Sequence, residues 1–150
     1  MRPISLFLRD ATVLAALAVL CGCGAVSGDP YETQPVPASK AMIYIYRPFR
    51  VTGSVSTPMI TCGPDSIELL PGGYHSFLAD PGPIACASSG NMTAPLKFDI
   101  HAGGEYYVKE EVSGALTTTT ALTLVSSSGA KGEIAETRRQ SVATKLPEEK

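Results

Sequence analysis

Four cysteines and two histidines are the residues with the most chemistry to offer in this chain of 150. Cys21 and Cys23 stand one residue apart in "LAVLCGCGAVSG", while Cys62 and Cys86 lie farther along, each alone in its neighbourhood. A structural zinc site needs a second Cys or His pair at ligand spacing, and none accompanies the first, so neither a metal nor another cofactor is expected. Nucleophilic or acid–base catalysis would draw on His75, His101, Ser76, Asp80 and Asp99, none of which stands in a local motif. His101 belongs to an outward polar set with Lys97 and Asp99, and His75 follows Tyr74 on the outward or edge face of a short strand. Solvated or capping roles suit both better than proton transfer, and the chain is expected not to be an enzyme. The Glu110-Glu111 pair lacks the oxygen ligands of a cation site and reads as a solvated strand end.

The first cysteine pair takes its meaning from what precedes it. Arg2 and Arg9 bracket the mostly apolar Ile4 to Leu8, and Ala11 to Leu20 is uncharged and almost wholly apolar. That length suits a signal-peptide core and falls short of the ~20 residues of a spanning helix. Leu20, Gly22 and Cys23 then resemble the lipobox of bacterial lipoproteins, with Leu three residues before the acceptor Cys and a small residue directly before it. Cys21 would put Leu20 beside the cut, where a small side chain is required. The resemblance implies a signal peptide over residues 1–22, acylation of Cys23, and membrane lipid as a partner through that residue. Gly24, where an Asp would mark retention in the inner membrane, implies the outer membrane, with the domain facing the periplasm.

Removing the signal leaves about 128 residues, suited to one domain. The net charge is −2 and the basic residues are scattered, so nucleic acid is not an expected partner. Gly24 to Lys40, "GAVSGDPYETQPVPASK", is rich in Gly, Pro and Ser and reads, with Cys23, as a lipidated flexible tether over residues 23–40. Fully extended it would reach at most ~60 Å. Tyr31 within it could pack on the domain or on lipid headgroups, but a lone tether aromatic is more often solvated.

Beyond Lys40, short β-type runs alternate with Gly and Pro, the pattern of an all-β, antiparallel β-sandwich. "AMIYIYR" (Ala41 to Arg47) is apolar on both faces and reads as a central strand covered on both sides. "LKFDIHAGG" alternates strictly, and "EYYVKEEV" returns with Tyr106, Val108 and Val112 inward and Tyr107, Lys109 and Glu111 outward, predicting a hairpin turned at Gly103-Gly104. Glu110 breaks the inward set and reads as a bulge or strand end. A last strand, "TTTTALTLV", offers Leu122 and Leu124 to the interior and an edge open to strand addition. Between these segments, Pro71-Gly72-Gly73 and Asp80-Pro81-Gly82-Pro83 turn three short strands. No convincing amphipathic helix is visible. The domain is expected over residues 41–136, with Ile134 the main core contact of the late polar stretch and a polar tail over residues 137–150. Cys62 and Cys86, at the ends of two short strands in an exported chain, predict a disulfide whose loop closure would contribute about 3.5 kcal/mol.

"AMIYIYRP", "LPGGYHSFLADPG", "FDIHAGGEYYVKEEV" and "LTLV", in this order from about Ala41 to Glu136, resemble small bacterial lipoproteins built on one domain of unknown function. In that family the stretch matching Met59 to Leu70 is a hairpin with a "DG" turn, where this chain has Cys62-Gly63-Pro64-Asp65. Similar corners occur in transthyretin-like modules, so the resemblance implies a prealbumin-like sandwich; it implies no activity. The function expected is that of a membrane-anchored, non-catalytic binding or structural module of the cell envelope, with an envelope protein as partner. The alternatives are an accessory lipoprotein subunit of an envelope assembly or secretion machine, and a hydrolase-like enzyme.

Overall fold

Six successive residues without a charged position, two of the three on each face β-branched or tyrosine, must be covered on both sides to be stable as a strand. In the computed structural model, which describes residues 26–51, 55–90, 94–114 and 119–140, Ala41–Tyr46 is such a strand, and all six of its residues are buried. It is β1. In chain order there follow β2 (Met59–Cys62), β3 (Asp65–Glu68), β4 (Gly73–Ala79), β5 (Gly82–Ser88), β6 (Leu96–Ile100), β7 (Glu105–Ser113), β8 (Thr119–Val125), the helix α1 (Ser127–Ile134) and β9 (Arg138–Arg139). One sheet has the order β8-β7-β1-β4-β9, the other β3-β2-β5-β6. The two pack face to face as an all-β sandwich around Ile43, Ile45, Ile60, Leu69, Ile100 and Val108.

The sequence predicts a wholly antiparallel sandwich, and the larger sheet departs from it: β1 pairs with β7 in parallel, Ile43 opposite Tyr106, and β4 pairs with β9 in parallel. The expected hairpin of β6 and β7 is absent for the same reason. β6 pairs with β5 in the smaller sheet, while β7 joins β1 and β8 in the larger. Gly103, at φ 75°, and Gly104 carry the chain from one sheet to the other, the Gly103 amide bonding the Lys40 carbonyl at 2.7 Å. Alternation in both segments is equally satisfied by two strands facing each other across the core, and Phe98 meets Tyr106 there with ring centroids 5.8 Å apart. The β2–β3 hairpin turns tightly on Gly63-Pro64, with Gly63 at φ 58° and Cys62 opposite Asp65. Cys62 is also opposite Cys86 of β5, and the two form a disulfide within the core.

The outer face of the larger sheet carries Met42, Tyr44, Tyr46, Tyr74 and Tyr107, covered by Ala130 and Ile134 of α1 and by Tyr31 and Val36 of the N-terminal segment. Tyr107, expected outward, is therefore buried, its ring stacked on Tyr44 at 5.0 Å. The helix is a correction too: eight residues rich in Ser and Gly show little periodicity, yet Ser126 caps it, its Oγ accepting from the Gly129 amide at 3.3 Å. Tyr31 is not solvated. It meets Tyr44 and Tyr74 edge-on at 5.5 and 5.6 Å, and its hydroxyl lies 3.0 Å from that of Tyr107. The stretch read as a tether thus lies on the domain from Val26, beside Gly73, through Asp29 and Pro30, which bond and bridge to Arg139 and Arg138, and the chain stays ordered past residue 136 through β9. Leu122 is buried as expected, whereas Leu124 is exposed on the edge strand β8. The signal region of residues 1–22, Cys23 and residues 141–150 lie outside the described residues.

Candidate functional site

β1 stops at Tyr46, one residue before Arg47, because Pro48 has no amide hydrogen to give the ladder. Arg47 is nonetheless buried. Its amide donates to the Gly73 carbonyl at 2.9 Å, and its Nη1 donates to the carbonyls of Ser56 and Leu69 at 2.7 and 3.0 Å, so the guanidinium ties the chain after β1 to the connection between β3 and β4. Facing it from β7 is Glu110. Instead of ending the strand, Glu110 continues it between Val108 and Val112 with its side chain directed inward and fully buried. Its Oε2 lies 3.9 Å from Arg47 Nη1, and among the described residues neither carboxylate oxygen has a hydrogen-bond partner. Thr120 Oγ1, buried on the neighbouring β8, also has none.

Burial penalises the charged form of each group. It pushes the Glu110 carboxyl up to about 7, with Arg47 pulling the other way, and it lowers Arg47, with Glu110 opposing. Near neutral pH Glu110 is therefore divided between a carboxylate, which accepts hydrogen bonds, and a carboxylic acid, which also donates one. The pair forms the floor of a cleft of about 410 Å³ whose walls include Pro48, Val51, Val112 and Ala121, with Arg50 and Glu111 at its sides. A cleft that combines apolar walls with a few polar groups is the form taken by small-ligand sites. Glu111 itself is exposed and paired with Lys109 at 3.0 Å, and Lys109 also reaches Glu133 on α1 at 2.8 Å.

The catalytic candidates of the sequence are not brought together. His75 faces the interior edge of the sandwich, its Nε2 2.8 Å from Asp65 Oδ2, so the pair straps β4 of one sheet to β3 of the other. Ser76 points from the opposite face of β4, beside Tyr44. His101 lies past β6, its amide donating to the Tyr106 hydroxyl at 2.9 Å. Asp80 is bonded by Lys40 at 2.6 Å, and Asp99 is exposed on the edge strand β6. Among the described residues no group of three or more His, Cys, Asp or Glu side chains is placed to hold a metal ion.

Sequence reasoning missed the Arg47–Glu110 pair. The signal was present, since Glu110 shares the parity of Tyr106, Val108 and Val112, and a charge at an inward position implies either a break or a buried partner. Compared with family models, with curated proteins and with solved structures, the chain matches none.

Proposed function

We propose that the protein is a non-catalytic binding module of a bacterial cell envelope, anchored in the outer membrane through acylated Cys23 and facing the periplasm, on a prealbumin-like sandwich of the type its motifs resemble. The signal-like N-terminus and the Cys62–Cys86 disulfide support export to an oxidising compartment. The dispersal of His75, His101 and Ser76 favours binding over hydrolysis. One observation carries the binding reading: the cleft over Arg47 ends on a buried carboxyl whose oxygens have no hydrogen-bond partner among the described residues. Leaving such a group unsatisfied is costly, and a ligand or partner group that donates a hydrogen bond to it recovers that cost.

The test is photo-crosslinking in intact envelopes from a reactive residue at Ala121, in the cleft wall, against one at Lys97, exposed on β6. A discrete adduct from Ala121, absent from Lys97 and weakened by Glu110→Gln, is expected. Equal labelling from the two positions, or an activity abolished by His75→Ala in a folded protein, would contradict it.

A further inference from the structure

The end of the sandwich where β1 finishes exposes large apolar side chains that no core uses. Phe49 is 66% exposed and Val51 82% exposed, immediately after the buried Arg47. Val26, the first described residue, arrives at the same end. A methyl group added at Gly73 would lie 3.6 Å from Val26 Cγ2, and one added at the adjacent Gly72 would lie 3.7 Å from Phe49 Cβ. From Val26 the chain runs on to Pro30 and Tyr31, which are fastened to β9 and to the outer tyrosines, so its point of departure from the domain is fixed.

Cys23 stands three residues before Val26, a span of at most ~11 Å when fully extended. An acyl group on Cys23 therefore holds this end of the sandwich, rather than its sides or its far end, against the bilayer. We propose that the end bearing Phe49 and Val51 is a membrane-contact surface, and that these side chains enter the headgroup region of the bilayer in which the Cys23 acyl chains are embedded. The proposal rests on the acylation of Cys23. Its occupant is lipid because the short connection brings the bilayer to these residues at a permanently high effective concentration. Arg50 and Arg138 lie at the same end but are accompanied there by Glu68 and Glu136, so the contact is apolar rather than a response to anionic lipid. The cleft over Arg47 and Glu110 shares Val51 with this surface and so opens beside the headgroups.

The chain contains no tryptophan, so Phe49→Trp introduces a lone indole. His101→Trp supplies the comparison, because His101 is at the other end of β1, beside the Gly103–Lys40 contact and ~20 Å away along the strand. Each full-length variant, extracted from bacterial envelopes, is reconstituted into phosphatidylethanolamine–phosphatidylglycerol vesicles with or without brominated acyl chains. Vesicle flotation is scored alongside fluorescence, and circular dichroism confirms the fold. Quenching of the indole at position 49 at least threefold greater than that at position 101, with a blue-shifted emission, is expected. Protein that floats but shows equal or negligible quenching at the two positions overturns the contact surface and leaves the anchor standing. Protein that does not float overturns the anchor, and the contact surface with it.

Discussion

Glu110 shows how a single side chain sets a property of the whole domain. Its carboxyl titrates at about 7 in the folded protein, against 4.5 for an unburied glutamate. The folded state consequently binds more protons than the unfolded state between those values, and stability falls as pH rises from 4.5 through 7. The full loss, reached above 7, is about 3 kcal/mol. Glu110→Gln keeps the shape and removes the ionisation, so the variant should match the wild type near pH 5 and exceed it in thermal midpoint at pH 8.5. Parallel midpoint–pH profiles for the two proteins would show that Glu110 does not carry this dependence. The residue was legible in the sequence as an anomaly, a charge in an inward register. Its partner was not, because Arg47 follows a strand distant in sequence and parallel to its own.

At the scale of elements, local patterns specified strands well and neighbours poorly. The two apolar faces of Ala41–Tyr46 correctly required cover on both sides, and the Pro-Gly corners marked the turns into β4 and β5. Alternation in Leu96–Ile100 and Glu105–Ser113 described half-buried strands without stating whether they pair or oppose each other, and they oppose. The outer cover was invisible for a different reason. A Pro-rich segment and an eight-residue Ser- and Gly-containing helix have no periodicity of their own, and they are held by hydroxyl groups: Tyr44 accepts from the Gln34 amide at 3.0 Å, and Tyr46 donates to Glu133 at 2.9 Å. The burial that fixes these tyrosines also raises the pKa of Tyr44. Tyr31 is the centre of the latch. Tyr31→Ala should lower unfolding free energy in urea by about 2 kcal/mol and increase amide exchange in residues 31–36, because it removes two edge-on ring contacts and a partly buried hydroxyl contact. A loss below about 0.5 kcal/mol, within the range of an exposed surface substitution, would mean that the segment does not hold the outer face.

Across the whole molecule, the fastened N-terminal segment changes what an anchor at Cys23 would do. A seventeen-residue flexible tether would let the domain roam, whereas a chain docked from Val26 onward leaves only the residues between it and Cys23 to span the gap. The domain would then have a fixed end toward the bilayer, and the cleft over Arg47 and Glu110 a fixed outlook. All of this depends on the acceptor cysteine, and the most direct measurement is metabolic labelling of growing cells with a clickable palmitate analogue, followed by membrane fractionation. The wild type and Cys21→Ala should be labelled and sediment with the membranes, while Cys23→Ala should lose the label and either leave the membrane fraction or remain unprocessed. Label retained by Cys23→Ala, or absent from the wild type, would contradict the account.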